Sequence, residues 1–553
     1  MIACVGFQSC PRPALPHNGG VTRGVTQFLF ASCAFFAPFV SAVPPAETLM
    51  SSNEVVHVLT QAIARAEQIM PNAVIAVADR EGYILGVWTM DGDTTNQLAQ
   101  LNILDAITKA GTASFLSSDQ HAFTSRTAGF IVQQNFPPRI RNRSTGPLVG
   151  VNFSNLSFTD VNRFKNPNAG RNFLSTESGT NGDPVPGPAA ISGLAGSPGG
   201  VPLFRDGKLI GGVGVAGSTR APVGSPLPAL ADIQVKQVRD ADEDVALAGQ
   251  AGFRPSSRFF GSHVLIDGIR VPYVKSKTKR GTPQPLGTIG SVVPGFEITA
   301  SPLVAYPTNL FGGQLCEIRA PVIDDPLPGL IRGAARLTSN EVQQILSQSS
   351  ARAKMTRAGI RLPRGQAAQT FITVVNNPDQ TNATPSILGT IRTPGATIFS
   401  WDVAVQKART AVFFSDDTRA FSSRSVGFLA QQFYPPGIAN TSPGPFYGLQ
   451  ELFSLVPVGI TNPLNHAFVT NALTAPNPNL TNGITIFPGG FPLYRNGVLI
   501  GAIGVSGDGI DQDDIIAAAG TVGFLPPTAI RADAMEYRGA RLPYAKFPRN
   551  PDL

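Results

Sequence analysis

The sequence predicts an α+β fold built twice in one chain, each copy an antiparallel sheet flanked by helices. Three observations predict it. The chain repeats itself, each repeat opens on an amphipathic helix, and two-strand hairpin signals recur at matching places. Residues 109–140 match 407–438 at 18 of 32 positions, and 200–217 match 490–507 at 11 of 18. Ser52-Asn53-Glu54-Val55 recurs as Ser339-Asn340-Glu341-Val342, and Arg270-Val271-Pro272-Tyr273 as Arg541-Leu542-Pro543-Tyr544. Self-similarity on this scale marks a duplicated unit. It places one domain at 48–275 and a second, diverged one at 336–547, joined by a Gly/Pro-rich linker over 276–335.

Each copy follows one plan. Val55, Leu59, Ala62, Ala66 and Ile69 share a helical face, and Ser52 or Asn53 can cap its start. Strands Ala73–Asp79 and Tyr83–Met90 follow, turning at Arg80-Glu81-Gly82. A second helix near 96–116 carries Ala106, Ala110 and Ala113, repeated as Ala404, Ala408 and Ala411; small residues at this spacing let a helix lie close to a sheet. A long loop runs to about 198. A hairpin then turns at Asp206-Gly207, or Asn496-Gly497 in the second copy. A short helix, 240–250 or 511–519, closes the unit. Antiparallel hairpins with flanking helices make an α+β sandwich.

Composition excludes several classes. Charged residues are 14% against a usual quarter or so, which removes coiled coils and charged disordered tails. Arg12 and Arg23 precede a mostly apolar run, Val25 to Val40, that ends in Val40-Ser41-Ala42. That is the pattern of a secretory signal peptide over 1–42, so the mature protein is expected in the periplasm or secreted, with no membrane span after cleavage. Two alternatives stay open: an uncut anchor, or lipid modification at Cys33. Losing Arg12 and Arg23 lowers the formal charge from +7 to +5. Apart from Lys275–Arg280, read as a solvated linker, no basic stripe exists, so nucleic acid is not an expected partner. Cys316 alone remains in the mature chain, which excludes an internal disulfide and a Cys-based zinc site.

The order of motifs resembles the GlcG/HbpS family of haem-binding and haem-degrading domains. The residues that carry it in the first copy are Ile75–Gly82, Met90-Asp91-Gly92, Lys109-Ala110-x-Thr112-Ala113, Pro198–Leu203 and Ile210–Val215. The second copy contributes Pro488–Leu493, Ile500–Gly507 and Asp511–Asp514. The resemblance implies a profilin-like fold in each copy, packing of the two as a pseudo-dimer, haem as a cofactor in some members, and self-association. The second copy departs from it, with Asn376-Asn377-Pro378-Asp379 opposite Asp79–Gly82 and Thr393-Pro394-Gly395 opposite Met90–Gly92.

Haem requires an apolar slot, cations for its propionates and an axial ligand. His57 lies on the first helix, where some relatives place an axial His. It falls opposite the apolar stripe, so it is either a surface residue or a metal ligand at a domain or subunit boundary; its counterpart is Gln344. Lys109 and Arg126 recur as Lys407 and Arg424. They pair ligand carboxylates, or they serve internally, Arg126 with Asp119. Asp91, unmatched in the second copy, completes the candidate set. On this reading Asp91→Ala or Arg126→Ala leaves the fold intact and weakens ligand binding. His121 and His263 sit in loops. Leu209-Ile210-Gly211-x-x-Gly214 is not a dinucleotide fingerprint, because no helix opens after it. Asp508, Asp511, Asp513 and Asp514 read as a helix start rather than a calcium loop.

The leading functional expectation is an exported haem- or tetrapyrrole-binding protein that sequesters or senses haem. Its alternatives are a non-catalytic assembly or partner-binding module and an enzyme acting on a small organic acid. Catalysis is the less favoured, since no Gly-x-Ser-x-Gly or His-Glu-x-x-His occurs.

Overall fold

Helix α1 (Ser52–Ile69) is capped by Ser51, one residue before the expected caps, because only from there does Glu54 fall at the third position and close a capping box. Val55, Leu59, Ala62 and Ala66 are buried as their spacing requires, while Ile69 emerges as the helix ends. The computed structural model describes residues 40–42, 46–132, 194–218, 238–279, 281–359, 366–380, 383–438, 440–447 and 484–546, with a few positions between 136 and 161. The expected leader lies outside them except for Val40–Ala42, which form the short strand β1.

After α1, strands β2 (Val74–Asp79) and β3 (Ile84–Thr89) make the first hairpin. Helices α2 (Gln97–Leu116) and α3 (Ser125–Ile131) follow, then β4 (Gly200–Arg205), β5 (Lys208–Ala216) and α4 (Ala241–Gly249). A two-residue hairpin, β6 (Leu265–Ile266) with β7 (Ile269–Arg270), ends the series. α3 falls where the sequence suggests only loop; seven residues are too few to show a helical period, and its signal is the Thr124/Thr127 capping box. Most of the expected long loop, 162–193, lies outside the described residues.

The segment 276–335, expected as a linker, supplies three strands. They are β8 (Ser291–Val292), β9 (Tyr306–Phe311) and β10 (Gln314–Ala320). Beyond it the order of the first half recurs: α5 (Ser339–Met355), β11 (Phe371–Asn376), β12 (Ile387–Arg392), α6 (Ser400–Phe413), α7 (Ser423–Leu429), β13 (Gly490–Arg495), β14 (Val498–Ser506), α8 (Ile510–Gly520), β15 (Glu536–Tyr537) and β16 (Ala540–Arg541). Thr338 caps α5 with Glu341 as Ser51 caps α1 with Glu54.

Among the described residues, two large antiparallel sheets form beside the two-stranded pairs β6-β7 and β15-β16. One runs β4-β5-β2-β3-β8 and the other β1-β9-β10-β12-β11-β14-β13. The connecting segment therefore edges the first sheet with β8 and widens the second with β9 and β10. Strand side chains alternate between faces. Val74, Ala76 and Ala78 pack with Ile103, Ala106 and Ala110 of α2, whereas Ile75 and Val77 pack with α1 and with Val245 of α4. α2 lies directly on β5: a Cβ on Gly214 would stand 2.0 Å from the Ala106 carbonyl oxygen, and one on Gly504 would meet Ala404 at the same distance. The glycine spacing thus serves close helix–strand packing.

One apolar cluster crosses the two halves. It joins Val87, Ile107 and Phe296 with Phe371, Phe399, Trp401 and Phe487, so the two α2-type faces share a core. No helix of the described residues is long and apolar enough to cross a membrane.

Candidate functional site

The four residues singled out from sequence occupy separate places. His57 is exposed on α1, its ring edge-on to Phe253 at 5.7 Å. Beside it Gly252 has φ +89°, and a Cβ there would stand 3.4 Å from Nε2. The second half repeats this arrangement with exposed Gln344 beside Gly523 at φ +92°. Asp91 is exposed and closes the turn after β3, accepting from Thr89 Oγ1 at 2.7 Å and from the Asp93 amide at 3.0 Å.

Lys109 and Arg126 are fasteners within the first half. Lys109 Nζ reaches Asp242 at 2.8 Å, Asp105 at 3.0 Å and the Val215 carbonyl at 3.0 Å. Burial alone would lower its pKa, but Asp105 and Asp242 outweigh burial and raise it. Arg126 grips Glu243 with two hydrogen bonds, at 2.7 and 3.0 Å, both side chains 1% exposed. Its partner is Glu243, not the expected Asp119, because α4 brings a buried carboxylate against α3. The expectation that Arg126→Ala spares the fold is therefore corrected. The second half keeps both fasteners, Lys407 with Asp513 and Arg424 with Asp511 and Asp514. The acidic start of α8 supplies these partners.

Asp119 works elsewhere. It accepts from the Leu209 amide at 3.0 Å and from Arg80 at 2.8 Å, and Lys208 stands 3.6 Å away. Asp417 does the same for Leu499, with Arg332 in place of Arg80.

A further polar cluster lies where the first half's β2–β3 turn meets the second sheet. Glu81 accepts from Arg319 at 2.8 and 3.1 Å and from Arg392 at 3.0 Å. Glu317 of β10 holds the same two guanidiniums. Arg319 also lies 3.6 Å over the Tyr306 ring. Burial works to raise the Glu81 carboxyl, yet Arg319 and Arg392 hold it down at about 2. Burial pushes neighbouring Asp79 the other way, up to about 7, against hydrogen bonds from the Tyr83 and Glu81 amides. A cavity of about 240 Å³ opens beside this cluster, walled by Asp79–Glu81 and Tyr83 from the first half and by Arg392, Pro394 and Gly395 from the second. His57, Asp91, Lys109 and Arg126 do not line it. Sequence comparison held the signal for it: Asp79–Gly82 is the turn that the second copy lacks.

The Asp79 shift sets a pH dependence with a definite sign. A raised carboxyl pKa favours the fold at low pH, and that contribution is lost as pH rises from about 4 through about 7. Urea unfolding of wild type and Asp79→Asn between pH 5 and 8 should show their difference changing most below pH 7. Parallel profiles would refute the assignment.

Residues 353–521 match the family model described as "Haem degrading protein HbpS-like". The chain thus carries a GlcG/HbpS-type domain in its second half, the half whose turns depart from the family pattern. Its helices and the Pro-Gly-Gly hairpin keep that pattern. Among solved structures, PduOC in complex with haem is 22% identical, covering 35% of this chain and 99% of that one, with a TM-score of 0.22. Klebsiella pneumoniae ORFY of the DUF336 family is 20% identical over 36% of this chain and 94% of its own, TM-score 0.22. A double mutant of Streptomyces reticuli HbpS is 20% identical over 36% and 97%, TM-score 0.21. No curated protein matches the chain.

Proposed function

We propose that the chain is an exported haem- or tetrapyrrole-binding protein, built as a pseudo-dimer of profilin-like domains at 48–275 and 336–547, that sequesters or senses haem. The observation that carries it is the exposed imidazole of His57, flanked by the Phe253 ring and by a glycine that leaves room beside Nε2. The buried sulfur ligands are less suited. Met50, Met70 and Met90 are core residues, and burial pushes the Cys316 thiol up to about 11, away from the thiolate a metal needs. The fit is that of half a site. His57 would supply a coordinating nitrogen and Phe253 one apolar contact, while Lys109 and Arg126 are spent in buried ion pairs and would leave the propionates to other cations. A second copy would supply the facing wall, which ties haem binding to self-association. When bound, haem would supply an iron centre.

The test is a haem titration of the full chain followed in the Soret band. One haem per chain is expected, lost in His57→Ala. Gln344→His, beside Gly523, should raise the stoichiometry toward two. No saturable shift, or an unchanged one in His57→Ala, sinks the reading.

One observation favours the second reading, an assembly module. Leu310 and Leu315 face each other across β9 and β10 and are 62% and 55% exposed, an apolar pair on the surface. The third reading, an enzyme on a small organic acid, loses the two cations from which it was drawn.

A further inference from the structure

The cavity beside Glu81 has its own chemistry, independent of His57. Its volume of about 240 Å³ is many times the roughly 10–15 Å³ that a single water requires. Its inner wall is closed in charge, with Glu81 and Glu317 against Arg319 and Arg392. Its outer wall is not. Arg80 bonds Asp119 and also acts on Glu81, while Lys208 holds Asp119 loosely at 3.6 Å with its side chain 43% exposed. Glu47 stands at the exposed rim, where water screens its charge.

We propose that this cavity binds a small monoanion carrying a hydroxyl or carbonyl oxygen, a short hydroxycarboxylate. Its carboxylate would complete the charge of Arg80 and Lys208. Its neutral oxygen would meet the corner held by Asp79, whose one carboxyl oxygen accepts the Glu81 and Tyr83 amides and whose carboxyl also hydrogen-bonds the Ser301 side chain. Leu49, Val304 and Pro394 offer the carbon skeleton an apolar side. Burial biases Asp79 most, with the Tyr83 and Glu81 amides, the Glu81 charge and the Ser301 side chain; Tyr306 on β9 acts on Tyr83, and Arg319 and Arg392 act on Glu81. Two negative charges cannot share this corner cheaply, so the anion favours protonated Asp79. No reaction is implied, only binding.

Calorimetric titration of the full chain with lactate as the probe tests this, with inorganic phosphate as comparison. One saturable site is expected at pH 6, about tenfold weaker at pH 8 because Asp79 ionises near 7. Lys208→Met should abolish binding with an unchanged melting temperature, and Lys208→Arg should retain it. Haem binding should be the same in Lys208→Met as in wild type, so failure of either proposal leaves the other readable. No heat up to about 10 mM lactate, binding that persists in Lys208→Met, or affinity unchanged between pH 6 and 8 would overturn the site. Phosphate binding without lactate binding would overturn the hydroxycarboxylate.

Discussion

Glu81→Ala will destabilise the protein by about 3–5 kcal/mol, the cost of breaking a buried ion pair from one side. Arg319 and Arg392 are 8% and 6% exposed, and without Glu81 they share Glu317 alone. A guanidinium does not escape by losing its proton, since it stays charged at any accessible pH. Glu81→Gln should lose less, because an amide oxygen still accepts from Arg319. Asp379→Ala, in the second half's turn, removes an exposed pair with Arg332 and should cost under about 1 kcal/mol. Urea unfolding at pH 7 measures all three. Because Arg319 and Arg392 hold the Glu81 pKa at about 2 against burial, the stabilisation is fully present above the ordinary value of 4.5 and is lost progressively as pH falls from there through about 2. A loss below about 1 kcal/mol for Glu81→Ala would mean that the quartet positions the halves without holding them.

Arg126→Ala is expected to be as damaging, about 3–5 kcal/mol, since it strands Glu243 in a site 1% exposed. Glu243 also receives the Lys275 and Ser276 amides, so the segment leaving the first half should loosen with it. Arg424→Ala should be milder. Arg424 is 18% exposed, and Lys546 remains 3.1 Å from Asp511. Replacing both partners, Arg126→Met with Glu243→Leu, should recover much of the loss, because an apolar pair leaves no buried charge. Equal and small effects in Arg126→Ala and Arg424→Ala, read by denaturant midpoint, would contradict this account.

Those two results bear on what the sequence could show. The helices and hairpins were legible because burial on one face imposes a period, and Val55–Ala66 or Val74–Ala78 display it. Repetition was legible too, but it points to structure. Lys109, Arg126, Asp119 and Glu54 all recur because each half needs the same buried pairs and strand-end bonds, not because each binds a ligand. The polar cluster could be reached only through what does not recur, the Asp79–Gly82 turn. Its partners could not be read at all. Arg319 and Arg392 lie 238 and 311 residues from Glu81, and no local pattern links them. The strands of 276–335 escaped for a different reason: the segment's 8 Gly and 8 Pro read as linker, although Gly312-Gly313, both at positive φ between β9 and β10, is itself a two-residue hairpin turn.

That segment also bears on how such a chain can be cut or recombined. A tether can be lengthened, shortened or exchanged with little consequence. This one spends its length on strand register, from Trp88 opposite Val292 to Ile318 opposite Ile391. One residue added between β8 and β10 would either be absorbed in the short bends there or turn a strand's inward side chains outward. The two copies are therefore not interchangeable cassettes. A fragment beginning after β10 would leave the second sheet with a raw, unpaired margin at β12.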